Sequence, residues 1–195
     1  CDFMFKSQQI DRIIRLVNEK DYPLIVGVDG LAGAGKSTLA NQLVSCLPGS
    51  TCVNIDDFYR PIHLDQLTKL ESDDLIEKFF DWKRLEDCLL IPASNNMRAV
   101  YYKHDWESDE LSDRIEVSPT DVLIVEGVFA FLPTLRALYQ LKIYVDTPKP
   151  QRISRIASRK YPNLNWMDAW ILAEERYLNK FDPQSHADVV VHGSM

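Results

Sequence analysis

No apolar run in this chain approaches the length of a membrane span, so no membrane partner is expected. Positive charge is short: 22 Lys and Arg stand against 29 Asp and Glu, for a net charge of −7. That balance argues against a nucleic-acid partner, which normally needs a basic surface. The four cysteines, Cys1, Cys46, Cys52 and Cys88, show no C-x-x-C spacing. With Cys46 and Cys52 in apolar surroundings, they read as reduced core residues of a cytosolic protein. The chain starts at Cys1 without a signal-peptide apolar region, and a trimmed terminus is expected there rather than a lipidated one. His63, His186 and His192 are scattered, without metal-ligand spacing, and there is no nucleophile-elbow signature. No linker, internal repeat or low-complexity tract divides the chain.

What is there is a globular composition. Hydrophobic residues make up 46% and charged residues 26%, which excludes intrinsic disorder. A length of 195 residues suffices for one α/β domain with a substantial core.

The most informative stretch is Gly30-Leu31-Ala32-Gly33-Ala34-Gly35-Lys36-Ser37, which fits G-x-x-x-x-G-K-[ST]. Leu24 to Val28 before it reads as a buried strand. Leu39, Ala40, Leu43, Val44 and Leu47 after it fall at helical spacing. Strand, motif and helix in that order identify a phosphate loop. Glycines let the backbone curl so that amide N–H groups converge on an anion, and the helix N-terminus adds its dipole. Gly30, Gly33, Ala34, Gly35, Lys36, Ser37 and Thr38 are therefore the nucleotide-binding candidates. Lys36 is expected to reach the β- and γ-phosphates, and the Ser37 hydroxyl to ligate Mg²⁺.

Ile10, Ile13, Ile14 and Val17 mark an amphipathic helix before the first strand. Further strands are expected at 51–55, 121–127, 141–145 and 187–191, and helices at 148–160 and 165–180. Leu64 to Leu70 reads as a short helix. Trp82, Leu85 and Leu89 form another helical stripe, opened by Asp81 as N-cap and stopped by Pro92. Residues 98–102 and 115–117 read as a β-pair joined by an acidic loop. The whole reads as a doubly wound α/β fold, a five-stranded parallel sheet of P-loop NTPase type with helices on both faces. Residues 1–195 form a single domain in this reading, with 62–118 as a small inserted acceptor region and 148–162 as a lid. Ligands on such sheets bind at the carboxyl ends of the strands, where Asp56, Glu126 and Asp146 fall.

Phosphoryl transfer needs a metal ion, charge neutralisation and a group to orient or deprotonate the acceptor. Asp56 or Asp57, just after the second strand, can serve as base or metal-side ligand; the alternative is a turn or N-cap role. Glu126 ends the most apolar strand, where a carboxylate needs a cation or donors, and it reads as a metal ligand. Arg152, Arg155 and Arg159 share one helix face. Near the site such a row clamps phosphates and supplies transition-state charge; otherwise it is a solvated basic face. Phe58, Tyr59, Tyr101, Tyr102, His104 and Trp106 either stack on a planar base or pack the inserted region, with Tyr59, Tyr102 and His104 as acceptor candidates.

The stretches 27–38, Asp56-Asp57-Phe58-Tyr59-Arg60-Pro61, 125–131 and 187–191 together resemble the uridine kinase family, which groups with phosphoribulokinase and bacterial pantothenate kinase. The resemblance runs over most of residues 22 to 191. It implies that Asp56 is the catalytic base close to Mg²⁺, that Glu126 and Ser37 complete the metal site, and that Tyr59 borders the acceptor. It also implies that the arginines at 152–159 are the lid. The implied reaction moves the γ-phosphate of ATP, with GTP as the alternative donor, to the 5′-hydroxyl of a nucleoside, uridine or cytidine. The family carries Tyr-Asp-Phe before the Glu-Gly strand; here Tyr101-Tyr102-Lys103-His104-Asp105 stands there, a departure that bears on the acceptor. Pantothenate and sugar phosphates are the alternative acceptors. The contrasting reading is a GTPase-type switch, because Asn179-Lys180-Phe181-Asp182 matches N-K-x-D. Self-association stays open, and the expected compartment is the cytoplasm.

Overall fold

The computed structural model describes residues 4–60, 76–105, 107–158 and 167–193. Its centre is a five-stranded parallel sheet in the order β2-β5-β1-β6-β7. The strands are β1 (Leu24–Asp29), β2 (Ser50–Asn54), β5 (Val122–Glu126), β6 (Leu141–Asp146) and β7 (Val189–His192). Every residue of β1 and β5 is buried, as continuous apolar runs covered on both faces require.

Alternation along β1 sorts its side chains. Leu24, Val26 and Val28 join one apolar layer with Ile10, Ile13 and Val17 of α1 (Ser7–Asn18) and Leu39, Ala40 and Leu43 of α2 (Lys36–Cys46). Ile25 faces the other layer, which holds Phe129, Phe131 and Tyr139 with Trp170, Ala173 and Tyr177 of the final long helix. Gly27 points the same way as Ile25 and has no side chain because the Tyr139 ring lies against its backbone. A Cβ there would stand 2.6 Å from that ring. Gly27→Ala is therefore expected to lower stability by about 1–3 kcal/mol through overpacking, read from urea unfolding of the two proteins. An unchanged midpoint would show that the Tyr139 ring moves aside freely.

The segment between β2 and β5 stands outside this sheet. Asp81 caps α3 (Trp82–Leu85) by accepting the Arg84 N–H at 3.1 Å, as its position predicts. Pro92 does not stop the helix. The chain widens to a π-helical turn at Glu86–Leu90 and continues as α4 (Ile91–Ser94). In that wide turn Ile91 N–H bonds to Glu86 O, five residues back. Proline normally breaks a helix by crowding the carbonyl four residues back. Here Pro92 falls in the first turn of α4, directly after the wide turn, where a missing N–H costs little. The expected β-pair is a longer hairpin, β3 (Ala99–Asp105) against β4 (Glu110–Val117). Residues Leu64 to Leu70 lie outside the described residues.

α5 (Pro133–Arg136) follows β5, α6 (Lys149–Ala157) follows β6, and α7 (Met167–Phe181) leads through a 3₁₀ turn to β7. The cysteines depart from the core expectation: Cys46 is exposed and Cys52 and Cys88 are half-buried, all three with free thiols. Cys46 lies at the solvent side of the last turn of α2, and Cys52 sits on an edge strand. Among the described residues no helix is long and apolar enough to cross a membrane.

Candidate active site

The sheet order builds the site. Register pairs Asn54 with Glu126 and Glu126 with Val28, so the ends of β2, β5 and β1 lie side by side. β1 runs into the phosphate loop, β5 ends in Glu126, and β2 turns into a 3₁₀ segment, Ile55–Phe58. Asn54 shapes that turn by accepting the Asp56 N–H on Oδ1 at 2.8 Å. A cleft of about 120 Å³ opens at this edge. Gly33, Gly35, Lys36, Ser37, Thr38, Asp56, Tyr59 and Glu126 all line it. So do Ala32, Asn54, Gly127, Val128 and Trp170, which were not singled out as site residues from the sequence. Asn54 carried one legible signal: a polar residue at the end of a strand, two positions before the aspartate pair.

Glu126 is buried, and its Oε1 accepts from Ser37 Oγ and from Asn54 Nδ2, each at 2.8 Å. Those two donors satisfy the carboxylate at the end of an apolar strand. Lys36 is buried, with Nζ 3.3 Å from Leu31 O. The Asp56 carboxyl is raised to about 6, first by loss of hydration within the cleft and next by the negative charge of Glu126. Lys36 and a hydrogen bond from Tyr59 pull it back. Its side chain is open to the cleft mouth, so water offsets part of that loss.

The neighbouring acid does something else. Asp57 accepts from the Tyr101 hydroxyl at 2.9 Å and pairs with Lys103 at 3.3 Å, which fastens the turn to β3. Arg84 completes that fastening through Tyr59 O at 2.9 Å and Tyr102 O, with its guanidinium 5.0 Å over the Phe58 ring. The sequence offered no sign of this role for Arg84.

Several candidates stand elsewhere. The Gly30 N–H donates to Asp29 Oδ1 at 2.6 Å and the Ala34 N–H to Leu31 O at 3.0 Å, so neither amide points into the cleft. Gly30 has φ +148°, and a Cβ there would meet Val145 O at 2.5 Å. Its requirement for glycine is close approach to β6. Arg152 and Arg155 turn to the loop's carbonyls: Arg152 to Ala32 O at 3.0 Å, Arg155 to Gly33 O and Ala34 O at 3.2 Å each. Arg159, His63 and Trp106 lie outside the described residues. Phe58 and Tyr101 pack in the core with ring centroids 4.6 Å apart. Tyr102 is half exposed and His104 is buried beside Asp109, 2.9 Å away, and neither is among the residues lining the cleft. Asp146 sits 3.5 Å from His192 at the far edge of the sheet, away from the cleft. The N-K-x-D match falls on the last turn of α7 and Asp182, not after a strand as a guanine-reading segment would.

Behind the loop, Asp29 is fully buried. Its Oδ2 accepts from the Phe131 N–H at 3.0 Å and the Tyr177 hydroxyl at 2.5 Å. Burial pushes this carboxyl up, and Tyr177 and the Gly30 and Phe131 amides pull it back. From the sequence Asp29, just past the strand read at Leu24 to Val28, carried no role of its own.

Comparison with known proteins gives the same picture over most of the chain. The family model described as phosphoribulokinase / uridine kinase matches residues 25–194. Uridine kinases of Staphylococcus aureus strains JH9 and Newman are each 34% identical over 143 residues, covering 69% of this chain and 67% of theirs. A solved structure described as a possible uridine kinase from Bacillus stearothermophilus superposes with a TM-score of 0.74 at 25% identity. It covers 94% of this chain and 97% of its own. A phosphate loop, a carboxylate pair at the adjacent strand ends and this match place the molecule: the chain belongs to the phosphoribulokinase / uridine kinase family and is a phosphotransferase acting on a hydroxyl group.

Proposed function

We propose that the protein transfers the γ-phosphate of ATP to the 5′-hydroxyl of uridine or cytidine. The observation that carries the reading is one cleft lined by two unlike groups of residues. Gly33, Gly35, Lys36, Ser37 and Thr38 are the phosphate-loop group. Asp56 and Tyr59, joined by a hydrogen bond, line the same cleft as the acceptor group. Asp56 takes the acceptor's proton, and Lys36 holds the transferring phosphate. Tyr59, buried and stacked on Phe80 with ring centroids 4.3 Å apart, borders the cleft as a rigid aromatic residue beside Asp56. The relatives described as uridine kinases support a pyrimidine nucleoside over other hydroxyl compounds.

The donor set fits Mg²⁺. Ser37, Asp56 and Glu126 present a hydroxyl and two carboxylates to one cleft. Among the described residues no group of three or more His, Cys, Asp or Glu gathers for a metal. That suits an ion bound by few protein oxygens plus water and phosphates. Bound there, the ion supplies charge neutralisation on the β- and γ-phosphates. In the same reading, residues 62–118 serve the acceptor and 148–162 close over the donor.

The test is a ranked set of kcat/KM values for uridine, cytidine, adenosine, pantothenate and ribulose 5-phosphate, with ATP and GTP as donors. A site that hydrogen-bonds its substrate rejects analogues lacking the matching groups by up to about 10⁴-fold. Uridine or cytidine is expected to rank first. If pantothenate or a sugar phosphate outranks both, the nucleoside assignment is wrong and the phosphotransferase alone remains.

A further inference from the structure

Helix α7 turns one face to the back of the phosphate loop, carrying Trp170, Glu174 and Tyr177 at i, i+4, i+7. Glu174 Oε1 accepts the Ala32 N–H at 2.6 Å. Arg152 of α6 donates to the Ala32 carbonyl at 3.0 Å. Arg152 and Glu174 also pair with each other at 3.2 Å, their side chains only 8% and 3% exposed. The Trp170 indole, which lines the cleft, donates to the same Glu174 oxygen at 3.2 Å. So the N–H and the C=O of one loop residue are held by the two members of a buried ion pair.

We propose that Glu174 is a positioning residue: with Arg152 it clamps Ala32 so that the phosphate loop keeps its anion-binding curl before nucleotide arrives. This rests on the nucleotide reading of the loop and not on any acceptor.

Two physical points support it. Ala32 stands between Gly30 and Gly33, both at positive φ, and glycine backbone leaves such a conformation more readily than any other residue's. Ordering such a loop on binding costs affinity, and pre-ordering it removes that cost. The second point concerns the pair itself. Two buried charges lose much of their hydration, and an apolar pair of similar size is often as stable. Stability therefore gives a weak reason for ions here, whereas a carboxylate and a guanidinium are the groups that grip an N–H and a C=O together. Both arginines are thereby committed to carbonyls of the loop, since Arg155 holds Gly33 and Ala34.

The experiment measures equilibrium binding of ATP and of ADP, with no acceptor present, alongside thermal unfolding. The proteins are the parent, Glu174→Gln, Arg152→Met, and the double Glu174→Met with Arg152→Met. Gln keeps the volume and one acceptor oxygen but sets an amide donor against the guanidinium. Each single variant is expected to weaken ATP and ADP alike by about tenfold or more, the worth of one charged hydrogen bond. The double should lose about as much as one single, because the clamp is broken once. It should also melt near the parent, because no buried charge is left alone.

Loss confined to Arg152→Met and to ATP would make Arg152 a γ-phosphate contact and overturn the proposal. Folded variants that bind both nucleotides within about twofold of the parent would overturn it too. If Glu174→Gln does not fold, the double decides: parent-like ADP affinity, or failure to fold even as an apolar pair, makes the ion pair purely structural. A parent that binds neither nucleotide would sink the nucleotide reading itself, which is a separate outcome.

Discussion

Lys36→Ala is expected to abolish phosphoryl transfer, with a rate loss of at least about 10²-fold and nucleotide affinity reduced as well. Lys36 is the first residue of α2, and its side chain is buried in the wall of the cleft. A buried ammonium acts through low-dielectric surroundings, so its charge is felt strongly by a phosphate beside it. In the transition state negative charge spreads over the transferring phosphoryl oxygens, and a fixed cation there needs no rearrangement at the moment of reaction. The substitution has a second consequence. Lys36 is among the groups that lower the Asp56 carboxyl, so its removal pushes that carboxyl further up and leaves less of it ionised, and so able to accept a proton, at neutral pH. Both effects act in one direction. The measurement is single-turnover transfer at saturating ATP, with thermal unfolding to establish that the variant is folded. A folded Lys36→Ala protein that keeps more than about a tenth of the parent rate contradicts the assignment. Lys36→Arg should fail as well, since a planar guanidinium does not replace a compact ammonium at a tight loop.

The sheet was readable because its signals are local. Leu24 to Val28 and Val122 to Val125 are apolar without interruption, and only strands covered on both faces need that. The phosphate loop was readable because G-x-x-x-x-G-K-[ST] encodes backbone curvature in residue types. What stayed hidden depends on contacts between distant segments. Asp56 and Asp57 are adjacent and identical in type. They separate only when Tyr101, 44 residues on, hydrogen-bonds Asp57. The arginine row kept its helix face, but the carbonyls that Arg152 and Arg155 meet are more than 100 residues earlier. Pro92 is a helix stop by local rule, yet the chain runs on through it after a π-helical turn. Cys46 looked apolar in sequence because Leu43, Val44 and Leu47 surround it. Three-dimensionally it takes the solvent face of α2 while Leu39 and Leu43 take the core.

Asp56→Asn is expected to lower kcat by about 10²-fold or more while ATP binding stays close to the parent. The change keeps size and shape, and the amide can still take part in the hydrogen bond with Tyr59. What it removes is a proton acceptor and one negative charge. The setting makes that acceptor a good one: lost hydration and Glu126 raise the carboxyl to about 6, so it is a stronger base than an ordinary aspartate and still ionised at neutral pH. A base of that kind is matched to an alcohol that loses its proton as the phosphoryl group arrives. The ATP contacts, by contrast, come from the loop and Lys36, whose atoms the substitution leaves in place. Kinetics in uridine and ATP, with ATP affinity measured separately, divide the two roles. A large fall in kcat at constant ATP affinity identifies the base. Equal losses in ATP affinity and in rate would instead make Asp56 mainly a metal or structural residue, with the acceptor's proton going elsewhere.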